Sequence, residues 1–183
     1  KSIIHSDVSD TPNPSRAINV DDTLSVSASL PNKFHLSISK TIDFRYGENP
    51  HQKSALYKLG DNPIPDYLLP ENKLQGKELS YNNILDVYAA INIVREFSNP
   101  TTVIIKHNTP CGVASDSVLC SSFQKALSCD PISAFGGVIA TNRVIDKSCA
   151  ELIGMVFTEV IIAPDFTPDA INIFSAKKNL RLL

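Results

Sequence analysis

The sequence predicts an α/β fold with a mostly parallel sheet flanked by helices, and three observations carry that expectation. Short apolar runs rich in valine and isoleucine recur through the second half of the chain. Segments with apolar residues at helical spacing alternate with them, and Gly, Pro, Asn and Asp punctuate the joins. Strands alternating with helices call for crossover connections, and such connections are right-handed and build parallel sheets. With 183 residues, of which 43% are hydrophobic, the chain is long enough for one domain with its own core.

Residues 1–33 are rich in Ser, Asp, Pro and Asn with no apolar period, the composition of a polar linker or tail. From there to residue 183 the pattern is that of a folded unit. Phe34, Leu36 and Ile38 alternate with polar residues, which predicts a strand with one buried face, and a second short strand is expected at 54–58. Between them lies the polar turn "RYGENPHQ". Ile84, Val87, Tyr88, Ile91, Val94 and Phe97 recur at spacings of three and four, so a helix starting near Ser80 is expected, with its Tyr and Phe in the core and Asn99-Pro100 as its stop. Strands follow at 101–105, 138–141 and 160–163, with helices at 116–128 and 146–156 and another entered through Thr167 and Pro168. "NLRLL" reads as one more strand, with an unpaired edge.

Composition removes several function classes. A net charge of -2 provides no global attraction for nucleic acid or an acidic membrane surface, so any anion site must be local. The longest apolar runs fall far short of the ~20 residues that span a bilayer. Cys111, Cys120, Cys129 and Cys149 form no C-x-x-C pair and have no histidine at ligand spacing, which predicts reduced thiols, no metal site and a cytosolic compartment. The chain begins at Lys1, consistent with a fragment or a processed form, and a removed targeting peptide would admit a plastid. No Walker loop, G-x-G-x-x-G fingerprint or H-E-x-x-H is present.

The chemistry concentrates in "VIIKHNTPCGVA", where a buried-type strand ends in Lys106 and His107. Successive strand side chains point to opposite faces, so both enter one site only if the strand has ended at Ile105. An imidazole takes a proton near neutral pH, and an adjacent ammonium holds developing negative charge. From these two residues alone, a solvated lysine beside a hydrogen-bonded histidine is the commoner arrangement. In "RYGENPHQ", Arg45 suits a bidentate phosphate contact and Tyr46 stacking, with His51 as a further polar group; a turn with surface side chains is the alternative. "DPISAFGG" contains Gly136 and Gly137, where backbone can approach a ligand, and Glu159 opens the run "EVIIAP".

Five ordered stretches, "FRYGENPHQKSALY", "LQGKELSYNNILDVYAA", "VIIKHNTPCGVA", "DPISAFGGVIATNRVID" and "EVIIAP", together resemble the transformylase part of the PurH family, bifunctional purine-biosynthesis enzymes that join AICAR formyltransferase to IMP cyclohydrolase. The resemblance runs from about residue 30 to 183. It implies formyl transfer from the co-substrate 10-formyltetrahydrofolate to the 5-amino group of AICAR, with no catalytic metal. It assigns proton shuttling to His107 and charge stabilisation to Lys106. It places the nucleotide against Arg45 and Tyr46, with Gly136 contacting it through the backbone, Thr109 keeping a hydrogen-bonding side chain and Glu159 near the ribose. Ile132 and Phe135 would face the folate.

The family fold resembles two cytidine-deaminase-like subdomains, and the resemblance makes this chain the first of them, from a homodimeric enzyme. Where deaminases continue Pro-Cys with a second zinc-binding cysteine, Pro110-Cys111 is followed by Ala114. The loop reads K-H-N-T-P against the usual K-H-x-N-P, and the family's cyclohydrolase domain and second subdomain lie outside the matched stretch. Two competing expectations remain: a truncated, non-catalytic paralogue that binds nucleotide or dimerises with an intact enzyme, and a fragment that does not fold alone.

Overall fold

The computed structural model describes residues 35–61 and 64–183, so the expected polar tail and Phe34 lie outside the described residues. Its core is a five-stranded sheet covered by helices on both faces. The strands are β3 (Thr101–Lys106), β4 (Thr109–Ser115), β5 (Gly137–Thr141), β6 (Thr158–Ile162) and β7 (Arg181–Leu182), in the order β4-β3-β5-β6-β7. Ahead of them β1 (Ile38–Phe44) and β2 (Ser54–Leu59) pair into an antiparallel two-stranded ribbon. The helices are α1 (Tyr81–Val94), α2 (Leu119–Cys129), α3 (Lys147–Gly154) and α4 (Pro168–Ser175).

Strand alternation distributes the core between the two faces. Val103, Ile105, Val138, Ala140, Val160 and Ile162 meet Val87, Ala90, Ile91 and Val94 of α1. The intervening Ile104, Ile139 and Ile161 pack with Phe123, Ala126, Ile153 and Phe174 from α2, α3 and α4. Burial of both faces explains why these strands read as unbroken Val/Ile runs. The caps match the sequence expectations: Asp146 accepts the Cys149 amide at 2.8 Å, and Thr167 caps α4 with Pro168 at its first position.

The sheet is mixed, not mostly parallel. β5, β6 and β7 are parallel neighbours, but β3 is antiparallel to both β4 and β5. The cause is a hairpin that the sequence disguises. Thr109–Ser115 contains Pro110 and Gly112 and reads as a turn, yet it forms an edge strand, where a missing N–H is tolerated. Gly112 is required there, since a Cβ would fall 2.0 Å from the Ala126 carbonyl oxygen of α2. β3 also runs one residue further than expected, with Lys106 paired to Thr109.

Three smaller differences share a local origin. α2 begins at Leu119 because the Asp116 carboxylate accepts the Ser117 amide at 2.6 Å and holds a turn of its own. α1 ends at Val94, so Phe97 lies beyond it, and Tyr88 is 56% exposed because the buried stripe follows Asn83, Val87, Ala90, Ile91 and Val94. The outer edge of β7 is partly covered: the Leu74 amide donates to the Leu182 carbonyl at 2.9 Å, and the Leu182 amide to that of Gln75 at 3.4 Å. Gln75 Nε2 donates to the Phe174 carbonyl at 3.0 Å and to those of Lys177 and Leu180 at 3.3 Å, at and just beyond the end of α4. Gly76, at φ 95°, makes the close turn, and the residues after it, 77–80, run beside Arg181 into α1.

Candidate functional site

Because β3 runs against β5, β6 and β7, the carboxyl end of β3 meets the amino ends of the other three. Lys106, Gly137, Thr158 and Arg181 therefore mark one edge of the sheet. The expectation of a site beyond carboxyl ends holds for β3 alone. The N-terminus of α1 arrives at the same edge, placed by a capping box in which Ser80 Oγ accepts the Asn83 amide at 3.2 Å and Asn83 Oδ1 accepts the Ser80 amide at 3.1 Å. The remaining Asn83 amide group donates from Nδ2 to Glu159 Oε2 at 2.9 Å.

Lys106 is the last residue of β3, and His107 leaves the strand through turn geometry. His107 has φ 51° and Asn108 φ 61°, so both central residues of the β3–β4 hairpin are left-handed, as in a type I′ turn. A histidine held in that region costs about 1–2 kcal/mol, whereas asparagine tolerates it. Strain of this kind collects at functional positions. Lys106 is half-buried and donates from Nζ to the Phe135 carbonyl oxygen, while His107, Asn108 and Thr109 are exposed. Thr109 Oγ1 donates to the His107 carbonyl at 3.4 Å.

Asp86, from the second turn of α1, accepts the Asn108 amide on Oδ1 at 2.6 Å. Burial raises its pKa above the usual carboxylate value, and the Asn108 amide, His107 and Lys106 pull the other way. Sequence reasoning missed Asp86 and Asn83. Their signal is legible in retrospect, since Asn83 is a polar residue in phase with the apolar stripe and Asp86 lies three residues on, along the same side of the helix.

On one side of Lys106 lies an aromatic surface. Phe135 is 61% exposed and its ring lies 5.0 Å from that of Phe157, itself 52% exposed and also missed from sequence. Ile132 is 87% exposed on the same loop. Gly136 has φ 73°, and its amide already donates to the Phe157 carbonyl at 2.7 Å.

Toward β7, at the same edge of the sheet, is a cavity of about 320 Å³ lined by Arg45, Tyr46, Lys77, Glu78, Leu79, Ser80 and Arg181. Arg45 is exposed with its guanidinium carbon 5.2 Å from the Tyr46 ring centre. The Arg181 side chain is only 13% exposed; it donates to the Glu78 and Glu159 carbonyls and lies 4.0 Å from the Glu159 carboxylate. Burial lowers its pKa, with Glu159 opposing. Three cations against one carboxylate residue, Glu78, beside a helix N-terminus leave the lining net positive, and unpaired first-turn amides and the helix dipole add to this. Lys77 and Arg181 gave no local sequence signal; the turn at Gly76 brings them together. His51 is exposed on its turn and does not line the cavity.

Among the described residues, no three His, Cys, Asp or Glu side chains are grouped as a metal ion would need, and no helix is long and apolar enough to cross a membrane.

Comparison with known proteins adds independent findings. The family profile described as AICARFT/IMPCHase bienzyme matches residues 16–183. Proteins named bifunctional purine biosynthesis protein PurH are similar over most of the chain: that of Acetivibrio thermocellus is 50% identical over 84% of this chain and 30% of its own length. Those of Leuconostoc citreum (49%, over 90% of this chain and 32% of the relative) and Rhodospirillum rubrum (54%, over 76% and 26%) agree. The chain thus spans about 30% of the length of the curated relatives it matches. Among solved structures, Acinetobacter baumannii RibD aligns with a TM-score of 0.42 at 16% identity, covering 54% of this chain and 35% of that one. The dCMP deaminase of cyanophage S-TIM5 gives 0.41 at 13% identity, covering 55% and 97%.

Proposed function

We propose that this chain, which belongs to the AICARFT/IMPCHase bienzyme family, carries the lysine-histidine part of an AICAR formyltransferase site and is the first of two deaminase-like subdomains. The observation that supports this most is the left-handed turn at His107 and Asn108, which presents Lys106 and His107 at the sheet edge that also carries an exposed aromatic pair and a cavity with three cations.

In this reading the nucleotide phosphate lies in the cavity against Arg45, Lys77 and Arg181, with Tyr46 beside it. Glu159, held by Asn83 and Arg181, faces the ribose, where a carboxylate can accept hydrogen bonds from the hydroxyls. The folate's aromatic rings pack on Phe135, Phe157 and Ile132.

The amine of AICAR is a weak nucleophile because its imidazole ring withdraws electrons. As its nitrogen forms a bond to the formyl carbon, His107 takes the amine proton and the Lys106 ammonium holds the negative charge that develops on the formyl oxygen. The bond from the formyl carbon to N10 of the folate then breaks, and N10 receives the proton from His107. The products are the formylated amine and tetrahydrofolate.

The test is a formyl-transfer assay on this purified chain with AICAR and 10-formyltetrahydrofolate, run beside circular dichroism. Turnover in the wild type, lost in Lys106→Ala and in His107→Ala with folding unchanged, supports the reading. Full activity in either variant overturns it. A folded chain that binds AICAR without turnover leaves nucleotide binding as its function.

A further inference from the structure

Asn108 occupies the second central position of a two-residue hairpin that pairs Lys106 with Thr109. In such a turn the amide of that residue takes no part in the hairpin's own ladder. Here it points to α1, where Asp86 accepts it at 2.6 Å across 22 residues of chain. The contact therefore ties a helix to the turn that bears His107, and it bears on the one backbone segment of the site that adopts an unfavourable conformation.

Asp86 is an odd choice for stability alone. It is half-buried, has no salt-bridge partner within 4.0 Å among the described residues, and is pushed toward its neutral form by burial and by Glu159. The groups that counter this are the Asn108 amide, His107 and Lys106. Its surroundings are thus the two residues that the proposed transfer uses, together with the turn between them.

We propose that Asp86 is a positioning residue of the transfer site: through the Asn108 amide it anchors the left-handed turn to α1, and it keeps a negative charge facing Lys106 and His107. This rests on the formyl-transfer reading above. Asp86 touches no substrate; it acts through the turn, by setting where the imidazole stands when it receives a proton.

Three variants separate the anchor from the charge. Asp86→Ala removes both, Asp86→Asn keeps an acceptor oxygen without the charge, and Asp86→Glu keeps the charge on a longer arm. Exchange of the Asn108 amide with water, followed by NMR on this chain, is expected to be at least tenfold faster in Asp86→Ala and close to wild type in Asp86→Asn. In the transfer assay, kcat is expected to fall about 10- to 100-fold in Asp86→Ala, the scale of a misplaced reacting group, and by less in Asp86→Asn, which keeps the anchor, with KM for AICAR within about threefold in both. Asp86→Glu should recover part of kcat. A purely structural residue would lower the melting temperature without this split between kcat and KM.

The proposal is overturned if Asn108 exchanges at the wild-type rate in Asp86→Ala, or if Asp86→Ala and Asp86→Asn both keep kcat within twofold. If the wild-type chain shows no transfer, the functional reading fails by itself. The Asn108 amide then decides the anchor alone: faster exchange in Asp86→Ala supports it, and unchanged exchange overturns it.

Discussion

Replacing Gly136 by alanine probes the backbone and the site at once, because the two effects have separate readouts. Gly136 has φ 73°, a conformation that costs an L-residue about 1–2 kcal/mol. The added Cβ would lie 3.4 Å from both Lys106 Nζ and Phe157 Cε1, which is contact without overlap, so the folding penalty is that of the backbone alone. For a domain of this size, 1 kcal/mol shifts the melting temperature by roughly 2–4 °C, and the expected loss is therefore about 2–8 °C. The methyl group nevertheless fills the space between the ammonium and the aromatic pair. Formyl transfer should fall, up to about 100-fold, because the methyl occupies space beside the ammonium that the reacting groups need in order to close to within an ångström of their places.

Gly60→Ala is the control. Gly60 also has a positive φ, 54°, but no atom lies within 4 Å of its Cβ position, so it should lose similar stability and no activity. Thermal denaturation followed by circular dichroism, together with the transfer assay, measures both. An unchanged melting temperature for Gly136→Ala would refute the backbone argument. Equal activity in the two variants would refute the placement of Gly136 beside the reacting lysine.

Other consequences are open to direct measurement. Arg45→Ala and Arg181→Gln should each weaken AICAR binding by about 1.5–3 kcal/mol, the range for a hydrogen bond to a charged group, or roughly 10- to 150-fold in Kd. Calorimetry with the phosphate-free riboside checks this, since equal losses for both ligands would show that the cavity does not hold the phosphate. Thiol labelling should modify exposed Cys129 first and Cys149 last, because Cys149 is buried and burial pushes its pKa far above the usual thiol value. Labelling of Cys149 ahead of Cys129 in the folded chain would contradict the packing of α3.

Two carboxylates should leave opposite marks on stability against pH. Asp86 has a raised pKa in the fold, so its contribution is present below the unfolded value of 3.8 and is lost as pH rises through the folded value. Asp116 is lowered to about 2 by Lys125 and Ser117, so its contribution is present above 3.8 and is lost as pH falls toward 2. Because asparagine mimics the protonated carboxyl, Asp86→Asn and Asp116→Asn should both approach wild type at the acid end of denaturant titrations from pH 2 to 7 and diverge from it toward pH 7 with opposite sign, Asp86→Asn gaining and Asp116→Asn losing stability relative to wild type. A difference of the same sign for both would refute these assignments.

The candidate site was partly legible because some of its residues are adjacent in the chain. Lys106 and His107 stand out as titratable groups at the end of an apolar run, and Arg45-Tyr46 as a cation and a ring in a polar turn. Asp86, Phe157, Lys77 and Arg181 were not legible, since each is ordinary in its own segment and reaches the site only through pairing of distant strands and the docking of residues 74–80 against β7. Asn83 was the exception that a closer reading of the helix could have found, as a polar residue on the buried stripe.

Local physics in the sequence determined most of the elements. Apolar periodicity marked α1 and the three central strands, and Ser80, Asp146 and Thr167 marked helix starts through hydrogen bonds made within four residues. Strand direction was decided only in three dimensions. The hairpin at His107 and Asn108 needs two left-handed residues and an edge strand containing proline, a combination whose local propensity argues against it. It forms because β4 gains a partner in β3 and packs Gly112 under α2, contacts between residues far apart in the chain. That tertiary choice turned β3 against its neighbours and brought the lysine-histidine turn to the edge where Glu159 and Arg181 begin their strands.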